Sequence, residues 1–330
     1  MKILIAYPSR SSFVARDINI LASRHDVSEH HFYSLSPANL LRGIRAVAQA
    51  DLLFLWFASL RALPLVLFAR LLGKTVVTVV GGYEAANCPE INYGNARFWR
   101  QKKVTRWILF RSRSILTVSA SSQQEIINNL GIAAARLTLI HHGFDDYAPA
   151  AAVNKAKSVL TVGLLSDVTW TRKGVYEFFR CAEHLPDIQF VHVGNVTIDV
   201  EKKWGRPLPA NLHFRGILSD ADLKSEMSPA AVYLQLSRHE AFGCSVAEAM
   251  LFRCIPVVSN RYALPEVASG SGHIVDPDDI NAAVAAIKTA IAAPHASGEA
   301  ARTRILTAFP LDLRARKLLE VIAAAKQANR

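Results

Sequence analysis

The sequence predicts an α/β protein built as two doubly wound parallel-sheet domains in series. Three observations carry that prediction. Short β-branched runs alternate with helical patterns along all 330 residues, a rhythm that argues for βαβ units. The rhythm breaks between Asp145 and Lys157, where the Ala-Pro-Ala-Ala-Ala-Val-Asn-Lys run has neither period and reads as a linker. At roughly 100–200 residues per domain the length suits two domains, and 51% apolar residues supply two cores.

In the first half, strands are expected at Lys2–Tyr7, Val27–Tyr33, Leu52–Phe57, Thr75–Val80, Ile115–Val118 and Leu137–Ile140. Periodic or Ala/Leu-rich segments between them predict helices over Ser12–Ser23, Pro37–Ala50, Leu60–Leu72, Ala96–Arg111 and Ser121–Leu130. The Leu52–Leu72 stretch approaches the length of a membrane span. Arg61, Pro64 and Arg70 interrupt it, and each Arg near a helix centre costs roughly 2.5–3.5 kcal/mol on insertion. A buried strand followed by a core helix accounts for it better than transmembrane insertion, which stays the lesser alternative.

After the linker, strands are expected at Ser158–Leu164, Ile188–Val193, Leu212–Phe214, Ala231–Leu236, Ile255–Val258 and His273–Val275. Helices are expected at Lys173–His184, Asp220–Ser228, Ser245–Phe252, Asp278–Ala293 and, beyond Pro310, Leu313–Gln327. The resulting organisation is a Rossmann-like domain over 1–150, a second over 151–309, and a C-terminal helix over 310–330 packing back on the first domain. The two domains are expected to face one another across a central cleft. In open α/β sheets ligands bind beyond the carboxyl ends of the strands, so the loops after strands are where chemistry is sought.

The chain carries 38 Lys+Arg against 27 Asp+Glu, a net charge of +11. The apolar fraction excludes disorder as the main state. The charge points to anionic partners: phosphorylated small molecules, acidic membrane surfaces or nucleic acid. Residues 1–150 hold 17 cations and 9 acids, net +8, and residues 151–330 hold 21 and 18, net +3, so the excess lies mainly in the first half. Cys88, Cys181, Cys244 and Cys254 form no close pair of the zinc or redox kind, which suits a reduced cytosolic protein. The opening Met1-Lys2, short Ile3–Ala6 run and Tyr7-Pro8-Ser9-Arg10 do not read as a secretory leader. A cytoplasmic location is expected, with peripheral contact on the inner face of the membrane as an added possibility.

The most informative passage is Ser237-Arg238-His239-Glu240-Ala241-Phe242-Gly243-Cys244-Ser245-Val246-Ala247-Glu248-Ala249-Met250. A buried strand runs into a polar loop and then a helix beginning near Gly243. Glycine lets the backbone approach a ligand, and the amides of Gly243, Cys244 and Ser245 would form an anion-favouring helix amino terminus. Glu240 precedes the helix and Glu248 lies within it, a displacement suited to contacting different parts of one long ligand. A solvated loop acid and a dipole-favoured helix glutamate are the plain alternatives.

Glu240 and Glu248, seven residues apart and followed by Ala249-Met250 and Ile255-Pro256-Val257-Val258, resemble the Glu-x7-Glu signature of family 4 retaining glycosyltransferases of the GT-B fold. Ala263-Leu264-Pro265-Glu266-Val267, His273-Ile274-Val275 and Asp276-Pro277-Asp278 extend the resemblance over the C-terminal domain. It implies that Glu240 hydrogen-bonds donor-sugar hydroxyls, that Glu248 holds the ribose, and that the amides after Phe242 cradle the diphosphate. It further implies a nucleotide diphosphate sugar as donor and a glycan, lipid-linked or small-molecule acceptor, in cell-surface polysaccharide or glycoconjugate biosynthesis.

The family usually carries Gly-Arg-Leu after the first strand of this domain and Lys-Gly at the next helix, two cations that neutralise the leaving diphosphate. Here Gly163 is followed by Leu164 in the arginine position, and the loop to Gly174 is longer. Arg172 and Lys173 are expected to supply both charges, since a preorganised cation at developing charge is a large catalytic contribution. Cations at a helix start oppose its dipole, and that local penalty favours an anionic ligand. The loops at Val193-Gly194-Asn195 and Phe214-Arg215-Gly216-Ile217-Leu218 stand where the family seats the nucleotide base, which makes Gly194 and Ile217 donor-binding candidates; Gly194 and Gly216 could equally be turn glycines.

In the first domain, Gly81 and Gly82 stand where many members place a histidine, followed by Tyr83-Glu84. Glu84, with Tyr83 and Gly82, is a candidate for sugar or acceptor contact, or Glu84 forms a turn. Ser9, in a Pro8–Ser12 loop without the family's glycine-rich run, is a further acceptor-side candidate. His141-His142-Gly143-Phe144-Asp145 resembles the family's Asn-Gly-Val-Asp turn, with His142 in the asparagine position. His239 reads as a packing residue. No Asp-x-Asp element has a convincing context, so metal-independent transfer without cofactor is expected.

Arg97 to Arg113 holds seven cations and no acid, interleaved with Phe98, Trp99, Trp107 and Phe110. Such a helix could lie on an anionic membrane or be an ordinary helix with aromatics on the sheet. The residues and the resemblance together point to a retaining glycosyltransferase in which the leaving phosphate oxygen takes the acceptor proton. A nucleotide-sugar epimerase shares the architecture but needs ionisable groups that are not evident. Nucleic-acid binding is suggested by charge alone, and no nucleic-acid partner is expected.

Overall fold

The computed structural model describes residues 1–34, 36–149 and 154–327. The predicted boundary at 150/151, in the middle of the expected linker, lies outside the described residues. The chain forms two compact units: Met1–Gly143 together with Leu311–Arg330, described through Gln327, and Phe144–Pro310.

In the first unit β1 (Lys2–Tyr7), α1 (Ser12–Ala22), β2 (Asp26–His31), α2 (Pro37–Gln49), β3 (Leu52–Trp56), α3 (Leu63–Leu71) and β4 (Thr75–Val80) follow in strict alternation. α4 (Trp99–Arg111), β5 (Ser114–Thr117), α5 (Ala120–Leu130) and β6 (Leu137–Leu139) complete the run. The sheet order is β2-β1-β3-β4-β5-β6, all parallel, with the order reversing between β1 and β3. β3 and β4 are buried at every residue, as strands covered by helices on both faces must be. At the edge, β2 reads Asp-Val-Ser-Glu-His-His and is largely exposed, a polar edge that discourages further strand pairing. The Leu52–Leu72 stretch is β3, a turn of 3₁₀ helix at Leu60–Ala62 and α3, and no helix among the described residues is long and apolar enough to cross a membrane.

The second unit runs β7 (Ala156–Val162), α6 (Asp167–Arg172), α7 (Val175–His184), β8 (Gln189–Val193), α8 (Val200–Trp204), β9 (Leu212–Gly216) and α9 (Asp220–Met227). It continues through β10 (Ala230–Gln235), α10 (Cys244–Leu251), β11 (Ile255–Ser259), α11 (Leu264–Ala268), β12 (His273–Val275), α12 (Ile280–Ala292) and α13 (His295–Ala308). The order β9-β8-β7-β10-β11-β12 is the doubly wound order of the Rossmann fold, with its switch point between β7 and β10. Each unit has its own apolar core, which includes Leu53, Leu55, Ile108 and Ile115 in the first and Phe178, Phe179 and Phe190 in the second.

α14 (Leu311–Gln327) belongs to the first unit. Its Arg314 makes a two-point ion pair with Asp17 of α1, Nε to Oδ1 at 2.7 Å and Nη2 to Oδ2 at 2.8 Å. The remaining Nη1 donates to the Ile140 and His141 carbonyls. Both charges are fully buried, and with these bonds their desolvation is compensated.

Sequence periodicity missed α6, α8, α11 and α13. The first three are six or five residues long, too short to show a period. α13 is held instead by charge pairs, Arg302 to Asp146 and Arg253 to Glu299. Gly298 lets it lie against the Arg253 carbonyl, where a Cβ would come within 2.7 Å.

Candidate functional site

The switch point of the second unit places the loops after β7 and β10 side by side. β10 is wholly buried and ends in Gln235, a polar residue with a task. Gln235 Nε2 donates to Glu240 Oε1 at 2.9 Å and to Ser237 Oγ at 3.1 Å, while Ser245 Oγ donates to Gln235 Oε1 at 3.0 Å. Ser237 Oγ also donates to Glu240 Oε1 at 3.3 Å. Tyr233 below them accepts from the Val162 amide, tying β10 to the end of β7.

Glu240 meets two cations. Lys173 Nζ lies 2.5 Å and Arg172 Nη1 3.7 Å from Glu240 Oε1. Burial alone would raise the Glu240 carboxyl, but Lys173 first, then Arg172, outweigh it and hold its pKa below the ordinary value. All three side chains are largely buried, so the interaction is little screened by solvent.

The expectation that Arg172 and Lys173 open a helix is corrected. Ser166 caps α6 in a reciprocal capping box with Thr169, and Arg172 and Lys173 close that helix as its last residue and its C-cap. At a helix carboxyl end cations are favoured, so the local penalty inferred from the sequence does not exist. Gly174, at φ 69°, then turns the chain into α7; a Cβ there would lie 2.3 Å from the Leu236 carbonyl, which fixes this turn against the end of β10. The Arg238 amide donating to the Arg172 carbonyl at 2.8 Å joins the two loops again.

α10 starts at Cys244 with Gly243 as N-cap at φ 99°, no capping side chain and no acid in its first turn. Its amino end therefore presents backbone and dipole rather than a built-in carboxylate. Glu248, one turn along, is half-buried. The Phe242 ring is buried between Phe144, 6.0 Å away, and Phe309, 5.2 Å away, a packing role for the side chain. His239 is buried against Tyr262 with ring centroids 4.2 Å apart, a packing role.

Three glycines mark the ends of β7, β8 and β9. Gly163 N–H donates to the Val193 carbonyl and Gly194 N–H to the Gly216 carbonyl. Gly194 adopts φ 138°, and a Cβ there would fall 2.0 Å from the Gly163 carbonyl. These bonds join the three strand ends into one backbone platform, and Ile217, next in the chain after Gly216, has 77% of its surface exposed.

In the first unit, Glu84 is buried and its Oε1 accepts the Gly81 amide at 3.0 Å, which is the turn-forming arrangement. Burial pushes its carboxyl up to about 7 against the pull of neighbouring amides. Tyr83 is half-exposed, edge-on to Tyr93, and Gly82 adopts φ 117°. Ser9 is exposed beyond β1, near a cluster that sequence reasoning missed: Tyr7 donates to Glu29, which also pairs with Arg10 at 3.1 Å. His142 stacks on Trp56 at 6.1 Å and contacts Phe13.

Sequence reasoning also missed Gln235 and Ser237. The legible signal was a glutamine closing an otherwise apolar strand directly before the loop. Arg238, bound to Glu177 at 2.8 Å and to Asp278, is a third omission.

Comparison with known proteins is consistent along the chain. Residues 4–147 match the model described as Glycosyltransferase Family 4, and residues 150–304 match Glycosyl transferases group 1. A glycogen synthase of Mycobacterium tuberculosis is 28% identical over 248 residues, 69% of this chain and 58% of that protein. A phosphatidyl-myo-inositol mannosyltransferase of the same species is 31% identical over 155 residues, 43% of this chain and 40% of that one. These matches thus span about half the length of those relatives. Among solved structures, Anabaena Alr3699/HepE in complex with UDP superposes with a TM-score of 0.77 at 16% identity, covering 98% of this chain and 100% of that one, a likeness of fold.

Proposed function

Since the chain belongs to the family 4 glycosyltransferases of the GT-B fold, we propose that it moves a sugar from a nucleotide diphosphate sugar to a glycan, lipid-linked or small-molecule acceptor with retention at the anomeric carbon. The observation that carries the reading is the convergence of Arg172 and Lys173 on Glu240, beside an α10 amino end that has no acid or capping side chain. Two cations and a helix terminus suit a diphosphate that gains charge as the glycosidic bond breaks.

In this reading Lys173 and Arg172 are catalytic and exchange part of their pairing with Glu240 for the diphosphate oxygens. Glu240, kept ionised, accepts hydrogen bonds from sugar hydroxyls. Glu248 holds the ribose, and the backbone around Gly243, Cys244 and Ser245 receives the phosphates. The Gly163 and Gly194 platform with exposed Ile217 seats the base. The leaving phosphate oxygen takes the acceptor proton on the same face, and charge is neutralised by side chains rather than by a metal. The description of the Anabaena protein with UDP supports a nucleotide-sugar donor.

Acceptor binding is assigned to the first unit, with Ser9, Gly82 and Tyr83 as contacts and Glu84 as the residue that shapes their loop. Peripheral contact with an anionic membrane is assigned to α4, whose exposed face carries Trp99, Arg100, Lys103, Phe110 and Arg111.

The test is a thermal-shift screen of UDP, GDP and ADP and their sugars, followed by product analysis with the donor that stabilises the fold. A new glycoside of unchanged anomeric configuration is the expected product. An altered donor sugar without glycoside would favour epimerisation, and unchanged turnover in both Glu240→Gln and Lys173→Ala would sink the site assignment.

A further inference from the structure

The amino-terminal edge of the first sheet, opposite the strand ends that carry Ser9 and Gly82, gathers cations. Lys74, Arg113 and Arg136 stand immediately before β4, β5 and β6, which are neighbours in the sheet. Parallel pairing aligns them: the Arg113 amide donates to the Val76 carbonyl at 2.7 Å, and Ile115 of β5 pairs with Leu137 of β6. Arg70 in the last turn of α3 and Arg111 in the last turn of α4 reach the same place. The five line one cavity of about 520 Å³, and no acidic side chain lines it.

Arg136 is fixed there by donating to the Ser112 carbonyl at 2.9 Å, and Arg111 lies over the Trp107 ring. Arg70, Lys74 and Arg113 have no ion-pair partner among the described residues. Five like charges around one concavity repel one another, and a bound anion relieves that repulsion. Guanidinium forks match phosphate geometry and are weakly hydrated. The volume falls within the range of about 300–1,000 Å³ of small-molecule sites and has room for more than one phosphate group. Phe110 gives one wall an apolar surface, and Leu71 and Leu72, between Arg70 and Gly73, are exposed beside it.

We infer that this cavity binds a phosphate-bearing anion of more than one negative charge, independently of the donor site on the second unit. A soluble phosphorylated compound and a phospholipid headgroup share this chemistry.

The test measures pyrophosphate binding by calorimetry on the full chain and on four variants: Lys74→Glu with Arg113→Glu, Arg100→Glu with Lys103→Glu, Arg172→Ala with Lys173→Ala, and Lys74→Gln with Arg113→Gln. The first should weaken one class of site by at least about tenfold, because charge-assisted hydrogen bonds to phosphate are the strong ones. The second changes the net charge equally on the exposed face of α4 and should leave that class intact, as should the third, which addresses the proposed donor site. Lys74→Gln with Arg113→Gln guards against a folding defect in the reversal, and thermal melting checks each variant. A parallel arm compares sedimentation with phosphatidylglycerol/phosphatidylcholine vesicles and with phosphatidylcholine alone. Vesicle binding lost in the Lys74/Arg113 variants assigns the site to headgroups; pyrophosphate binding without vesicle binding assigns it to a soluble ligand. Pyrophosphate binding unchanged by the Lys74/Arg113 variants, or lost equally in the Arg100/Lys103 variant, overturns the inference.

Discussion

Lys173 Nζ lies 2.5 Å from Glu240 Oε1, the same oxygen that accepts hydrogen bonds from Gln235 and Ser237. With Arg172 Nη1 at 3.7 Å, that one carboxylate oxygen gathers two cations and two neutral donors, and the arrangement is set before any ligand arrives. Lys173→Ala should lower kcat by about a hundredfold or more, the scale of losing one preorganised donor at developing charge. It should also destabilise the fold, because Glu240 loses its nearest counter-charge. The lowered pKa of Glu240 has a defined sign: the stability it contributes is present above its ordinary value of 4.5 and is lost as pH falls through its lower folded value. Turnover against pH, with urea unfolding in parallel, separates the two effects; a Lys173→Ala enzyme with unchanged kcat contradicts the role.

Glu84 predicts the opposite dependence. Its folded pKa of about 7 exceeds the ordinary 4.5, so its contribution is full below about pH 4.5 and fades as pH rises through 7. Ionisation in the buried turn then costs about 3 kcal/mol at most. Glu84→Gln keeps an acceptor for the Gly81 amide and removes the titration. Urea unfolding between about pH 5 and pH 8 should decline for the natural chain and stay nearly level for Glu84→Gln, relative to each other.

Asp17 and Arg314 lie at opposite ends of the chain and share a buried two-point pair. Arg314→Ala should cost about 3–5 kcal/mol, the price of an unpartnered buried charge. Replacing both, Asp17→Asn with Arg314→Met, should cost less than the sum of the single changes, which a double-mutant cycle by denaturant unfolding reads directly. Strict additivity would show that the pair contributes nothing.

Gly194 and Gly216 offer a contrast on one platform. Both have positive φ, but only Gly194 would place a Cβ against backbone, 2.0 Å from the Gly163 carbonyl. Gly216→Ala should cost about 1–2 kcal/mol from its left-handed conformation. Gly194→Ala should cost more and weaken nucleoside diphosphate binding, as the platform must deform. Equal effects of the two substitutions in unfolding and thermal-shift measurements would remove the platform from the donor site.

Much of the fold was legible because its signals are local. The Thr75–Val80 run is a strand by composition alone, and the structure copies those bounds. The Glu-x7-Glu spacing located the strand, loop and helix around Glu240 correctly. Local signals failed where capping outweighed periodicity. The helix expected over Lys173–His184 starts instead at Val175 behind Gly174, and Ser166 caps a separate short α6 ahead of it, so Arg172 and Lys173 stand at a helix end and not at a helix start.

By itself, the sequence determined the alternation of elements, the two-unit organisation, the excess of cations in the first half and the order of the chemical groups along the chain. Tertiary structure alone decided which groups meet. Lys173 and Glu240 are far apart in sequence and come together because β7 and β10 are neighbours at the switch point of their sheet. Lys74, Arg113 and Arg136 are unremarkable singly and become one cavity wall because β4, β5 and β6 pair in parallel register. Charge interactions depend on distance and burial, and those are set by strand order, which no local pattern of residues contains.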